Sequence, residues 1–526
     1  MQYIDTRHDM RKFGSMGFLG LALAVLVGCS QGETTSTTGT PTPGGSAALQ
    51  GPLVFVNNTG DKSLTTVALR GDSGNAVVNT IATTEFEGSA LADMQFSEGE
   101  WLFVNLGAAN KVATIDPLTG ATPTHEVNLA TGTRPVHIYR DPTDGEVMWS
   151  MNDGDNASGS LTPGDDLINC AVPTGGSVTI LHNAHLGPGA VPPSVTKTEC
   201  LLADGHKVAA FSSGAGIPKR VFISSSTAGE VAVIGNDPAI PGEYHKLIDR
   251  IDLCTDAGEA LNGQGLCDVN ANAANTPNSP NKSNPHGIRF SKLTGKIYSI
   301  QENYRTIVEI NPATLAITQT FDLAGTPYTA YGISPDGRFL LLRGDTTPAT
   351  GTKLGVIDLG TAGNPLTNFT IPELAGTSPG SFKFSPDGKR FYILAGNAAA
   401  ATKKDKLFAF NASTLTAATP ALTLLREISL ISTTNGSHSF DVLVQNAGEA
   451  RFIAVSNGSD NSVSIINAAD NSIKQTVTVG TTPGAVLIYH PGAVAAGNQA
   501  TASILGSRPS ASESLAERLD DHGMPE

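Results

Sequence analysis

The chain is poor in charge, poor in cysteine and short of long apolar runs. Charged residues make up only 15% of its 526 positions, and 48 acidic residues stand against 33 basic ones, for a net charge of −15. Phosphate recognition needs clustered lysine and arginine, so this balance argues against nucleic acid or anionic lipid as the main partner. The same acidity is permissive for cations. No long stretch has a strong helical apolar period, which leaves little room for amphipathic helices. No C-x-x-C-H occurs, which excludes covalent c-type haem. G-x-S-x-G, Walker, H-E-x-x-H and complete EF-hand motifs are also absent. Asp153-Gly154-Asp155 begins like a calcium loop but lacks the remaining ligands.

What is present is turn chemistry and repetition. Gly 57 and Pro 31 fit many short strands joined by turns. Eight times an apolar strand is followed by a tight polar turn, a second strand and a V-x-x-I-D/N-x-x-T strand. The cleanest copies are Phe384-Ser385-Pro386-Asp387-Gly388 through Leu394, and Ile333-Ser334-Pro335-Asp336-Gly337 through Leu342. A period of about 45–50 residues with several short strands each is the signature of an all-β propeller. With strands named a to d from the axis outwards, strand a falls near 92–97, 136–140, 206–212, 286–291, 331–334, 381–385, 438–444 and 484–490. The last of these has no b, c and d after it. Leu53-Val54-Phe55-Val56, Leu64 to Leu69 and Val77 to Ile81 supply them, so strands from both ends of the chain share one blade and close the ring. This predicts a single propeller of eight four-stranded blades, or seven if the poorly patterned repeats around 136–254 are miscounted.

The FSPDGKRFYI segment and the V-x-x-I-D strands resemble the YVTN-repeat superfamily of bacterial propellers, which takes in lactonase-like and nitrite-reductase-like members. The resemblance covers about 52–490 and implies the fold far more than a function. A second resemblance lies at the N-terminus. Arg11-Lys12 precede an apolar run from Phe18 to Val27, too short to span a bilayer as a mature anchor, and Leu26-Val27-Gly28-Cys29 resembles the lipobox of bacterial lipoproteins. It implies a signal peptide over 1–28 and a lipid-anchored Cys29. Ser30, rather than Asp, follows, which implies the outer membrane on its periplasmic or surface side. The expected organisation is then an acylated Cys with a Ser/Thr/Gly/Pro tether over 29–50, the propeller over 51–491 and a polar tail over 492–526.

Propeller geometry places the d-to-a and b-to-c connections on one face and the Ser-Pro-Asp-Gly turns on the other. Two long insertions fall on the first face: Asn152 to Gly176 between b and c, and Thr255 to Pro285 between d and a. Long loops in compact domains tend to be functional. Four of the 11 histidines stand at or beside the start of a strand a on that face: His137, His206, His286 and His438. Asp153, Glu302 and Asp345, at the ends of b strands, are placed to complete or orient a site. Imidazoles on convergent strands can hold copper, zinc, iron or a non-covalent haem. The alternative is that they bond neighbouring backbone or touch another ligand, since their registers differ. His182 and His185 fall on the opposite face. Apart from Cys29 there are four cysteines, and three pairings are open. The strand order favours Cys170–Cys200 and Cys254–Cys267, each bracing an insertion.

Without a catalytic constellation, the expected function is a membrane-anchored envelope lipoprotein whose propeller binds a protein, glycan or small ligand on the insertion-bearing face. The alternative is a metal- or haem-binding redox propeller using the axial histidines. A lactonase-like hydrolase is the third reading, supported by the repeats alone.

Overall fold

The computed structural model describes residues 51–97, 101–120, 122–154, 176–184, 191–201, 206–226, 229–253, 283–324, 326, 328, 330–344, 352–374, 377–396, 405–417, 420–431, 439–444 and 449–490. His185, His438, Asp345, Cys29, Cys170, Cys254 and Cys267 lie outside them, as do the segments expected to be signal peptide, tether and tail. Cys200 is described and closes strand d of blade 3, opposite Ser177.

Strands account for nearly all regular structure, and among the described residues the helices are short 3₁₀ turns. None is long and apolar enough to cross a membrane. The strands assemble into eight four-stranded antiparallel sheets, the blades of a β-propeller. Blade 1 comprises 53–81 with 483–489, blade 2 covers 91–128, and blades 3 to 8 follow at 135–200, 207–252, 288–322, 330–371, 378–429 and 440–478. All eight strands a fall where the repeat placed them, and the seven-blade alternative is excluded.

Burial explains why the inner strands are apolar and the outer ones mixed. Strand b of blade 7, Arg390–Gly396, is buried from Phe391 onwards, whereas strand d, Thr423–Ser429, exposes most of its side chains. A middle strand has a neighbouring blade on each face, and an outer strand borders water. The apolar side chains gather between blades, with one cluster at each of six seams and a single cluster shared by the two seams on either side of blade 4. Phe55 and Leu102 pack in the cluster joining blades 1 and 2, Trp149, Phe222 and Ile297 in the one joining blades 3, 4 and 5, and Val54 and Ile465 in the one joining blades 8 and 1.

The turns show why the repeated residues are there. The Ser334 hydroxyl donates to Asp336 and accepts the Phe339 N–H at 2.8 Å. Ser385 repeats this with Asp387 and Arg390. Gly337 sits at φ +79°, and a Cβ there would come within 2.8 Å of the Lys292 backbone nitrogen in the neighbouring blade, so both conformation and space demand glycine. At the opposite end, strand b of three blades finishes in a buried asparagine that donates to two hydroxyls of strand c. Asn58 reaches Ser63 and Thr65, Asn152 reaches Ser177 and Thr179, and Asn457 reaches Ser462 and Ser464, all at 2.8–3.1 Å.

Ring closure follows the expected pairing. Leu53 lies opposite Tyr489 and Val56 opposite Val486 in an antiparallel ladder. The Thr59 and Gly60 amides add bonds to the Thr482 and Thr481 carbonyls. Every described residue belongs to the unit Ser46–Glu526.

Candidate metal centre

Three of the four histidines singled out in the sequence meet. They come from consecutive blades: His137 is the third residue of strand a of blade 3, Pro135–Arg140, while His206 and His286 lead into the strands a of blades 4 and 5. The Nε2 atoms of His137 and His206 are 3.0 Å apart, with ring centroids at 4.6 Å. His286 packs edge-on to His206 at 5.2 Å between centroids. His137 is buried to 1% exposure, and His206 and His286 retain 13% and 11%. The cluster thus runs from a closed inner histidine to two partly open ones.

Each ring has a carboxylate behind it. Asp153 follows strand b of blade 3 and stands 3.6 Å from His206 Nδ1. Glu302 follows strand b of blade 5 and lies 3.2 Å from His286 Nδ1, where it also accepts from Asn284 at 3.0 Å. The inner ring is served by a residue that the sequence reading missed. Asp93, in strand a of blade 2, places Oδ2 3.6 Å from His137 Nδ1. Register holds the signal for it. Asp93 stands four residues before the turn serine Ser97, as His137 stands four before the equivalent Asp141. Lys207, fully buried at the first position of strand a of blade 4, adds a positive charge near Asp153.

Electrostatics favour a neutral His206 and a charged Asp153. Burial, and then the neighbouring His137, hold His206 below the ordinary imidazole value against the upward pull of Asp153. For Asp153, burial pushes the carboxyl up, but His206, Lys207 and His137 together bring it below the usual carboxylate range. A neutral imidazole that turns Nδ1–H toward a carboxylate carries its lone pair on Nε2. With both rings in that tautomer, the Nε2 atoms of His137 and His206, 3.0 Å apart, would turn lone pairs toward each other. A neutral Nε2–H tautomer of one ring satisfies the contact with a hydrogen bond, and a metal ion bound by both nitrogens satisfies it equally.

Among the described residues, no group of three or more histidine, cysteine or acidic side chains already has its ligating atoms gathered around a metal position. The shortfall is small for the inner pair. Two nitrogens of a tetrahedral zinc site, each about 2.0–2.1 Å from the ion, lie about 3.3 Å apart, close to the 3.0 Å between the Nε2 atoms of His137 and His206. His182 ends strand c of blade 3, at the opposite end of that blade from Asp153, as expected.

Fold and cluster together define the class of protein: an eight-bladed β-propeller with a histidine–carboxylate cluster at one end of its inner strands. No family model matches the chain, and no curated protein matches it. Solved structures do. Apo AztD from Citrobacter koseri is 13% identical, with 84% of this chain and 98% of that one covered and a TM-score of 0.51. A second structure of Citrobacter koseri AztD is 12% identical over the same shares, also at 0.51. A protein from Lactobacillus plantarum is 13% identical, covering 84% of this chain and all of that one, with a TM-score of 0.45. At such identities the likeness speaks to the fold.

Proposed function

We propose that this protein binds a divalent transition-metal ion, zinc or copper, through His137, His206 and His286, with Asp153 and Glu302 orienting the outer rings. The observation that carries this reading is the 3.0 Å approach of two Nε2 atoms whose Nδ1 sides both face carboxylates. Net charge points the same way. Asp93, Asp153 and Glu302 set three carboxylates behind the rings, which favours a cation beside them. An imidazole-rich donor set suits zinc and copper, and the carboxylates behind the rings raise ligand basicity. Contact between His137 and His206 leaves no room for a macrocycle between them, which disfavours haem ligation by this pair.

The test is metal binding by the full chain purified from its native envelope. Elemental analysis and equilibrium dialysis against zinc and copper should find about one ion per chain, and His206→Ala should weaken binding at least ~100-fold. A wild-type protein that retains neither metal, or a His206→Ala variant that binds as wild type does, overturns the reading.

The same proposal places the site on a YVTN-like envelope lipoprotein anchored by Cys29 in the outer membrane, supported by Leu26-Val27-Gly28-Cys29 and the Ser30 that follows. Mass spectrometry of the N-terminal peptide tests the acylation. Disulfides Cys170–Cys200 and Cys254–Cys267 would brace the two insertions on the metal-bearing face, each contributing about 2–4 kcal/mol. Those insertions also favour a second reading, in which the same face receives a protein, glycan or small ligand.

A further inference from the structure

We infer that Asp93 is a positioning residue for the inner metal ligand: it fixes the His137 ring with Nε2 facing the site and ties that ring to the seam between blades 2 and 3. The inference rests on the metal-binding reading above. Asp93 is 1% exposed and lies in an otherwise apolar part of strand a. Its Oδ1 accepts the Met94 N–H at 2.8 Å, and its Oδ2 accepts the Ile138 N–H from the next blade at 3.1 Å. Both bonds hold the carboxylate in place before any ligand arrives. Oδ2 also faces His137 Nδ1 at 3.6 Å, in the residue immediately before Ile138.

Both hydrogen-bond partners of this carboxylate are backbone donors, and its charge favours a third N–H on the imidazole 3.6 Å away. An imidazole turned toward it presents Nδ1–H, which leaves the lone pair on Nε2, 3.0 Å from His206. The opposite tautomer would direct an Nδ1 lone pair at an anion and an N–H into the metal site. Asp93 selects against it.

A matched control exists in the same molecule. Asp441, in strand a of blade 8, makes the same backbone clasp: Oδ1 accepts Val442 N–H at 2.9 Å and Oδ2 accepts Ile488 N–H of the next blade at 2.8 Å. A lysine, Lys383, stands 3.7 Å from it. Asp93→Asn and Asp441→Asn therefore disturb the same kind of backbone clasp, and the first lies beside His137.

The experiment compares zinc affinity of full-length wild type, Asp93→Asn and Asp441→Asn by competition with a chromophoric chelator, together with histidine ¹⁵N shifts of the metal-free proteins. Asp93→Asn should lose ~10–100-fold in zinc affinity and move one histidine from the Nδ1–H to the Nε2–H tautomer, while Asp441→Asn changes neither. If wild type binds zinc through His206 and Asp93→Asn binds as tightly as Asp441→Asn with unchanged tautomers, the positioning role is overturned and the metal site stands. If Asp93→Asn fails to fold, Asp93→Glu, which keeps the charge, should retain the tautomer; a tautomer change in that variant also overturns the inference. Absence of zinc binding in wild type removes the metal reading itself.

Discussion

Two seams of this propeller are built around the same device and end in different chemistry. Between blades 2 and 3, Asp93 clasps Met94 and Ile138; between blades 8 and 1, Asp441 clasps Val442 and Ile488. Both carboxylates are buried on strands a, and both need a positive partner. Asp441 has Lys383, a fixed cation that also lies 5.5 Å over the Phe440 ring. Asp93 has His137, which is cationic only when protonated, and whose far nitrogen meets His206. Asp441 thus links three blades, pairing with Lys383 of blade 7 and holding the closing strand of blade 1 through Ile488. The histidine seam sets its carboxylate behind an imidazole whose far nitrogen belongs to the proposed metal site.

The largest expected effect breaks the lysine seam. Asp441→Ala removes the clasp on the closing strand and takes a buried carboxylate from Lys383, so it should cost about 3–5 kcal/mol in chemical denaturation. In a Lys383→Met background the same change should cost about 1–3 kcal/mol less, since the two side chains are coupled. Equal costs in both backgrounds would show that the ion pair contributes nothing.

Zinc sharpens the contrast from the other side. At a free concentration 100 times its dissociation constant it should stabilise wild type by about 2.7 kcal/mol, a rise visible in the melting temperature. Lys383→Met should keep that increment and His137→Ala should lose it. An increment that follows Lys383 would place the ion elsewhere.

Acid should weaken the histidine side first. His245 packs against Trp149 at the seam of blades 3 and 4, and burial, followed by Lys197 and His182, lowers its pKa to about 4. The unfolded chain binds this proton at about pH 6.5 and the folded one only near pH 4, so its contribution is complete above 6.5. It is lost as pH falls from 6.5 toward 4, by about 2 kcal/mol. Hydrogen exchange should show blades 3 and 4 loosening before blades 7 and 8 over that window, and His245→Phe should flatten the pH dependence. The smallest expected effect is shared by both regions. Asn152→Ala and Asn457→Ala each remove one strand-end clasp and should cost about 1–2 kcal/mol without altering zinc affinity.

Much of this contrast was legible in the chain. The Ser-Pro-Asp-Gly turns gave the register of the strands, and the histidines before strands a marked the end of the blades where His206 and His286 meet. Asp153 and Glu302 were legible as residues just past strand b. Asp93 was not, because a single acid in an apolar strand has no local partner: its ligands come from the next blade. Lys207 escaped for a similar reason, as its charge matters only beside Asp153 on another blade.

The sequence by itself determined the all-β repeat, the shared closing blade and the end of the blades at which the histidines stand, and it left eight blades or seven. Those properties depend on local alternation and turn chemistry, which repeat within each blade. Tertiary structure decided which histidines touch, which nitrogen of each faces its neighbour, and why two aspartates in the same clasp differ in partner. Those are properties of seams between blades, set by side chains from separate strands brought within hydrogen-bond reach only when the ring closes.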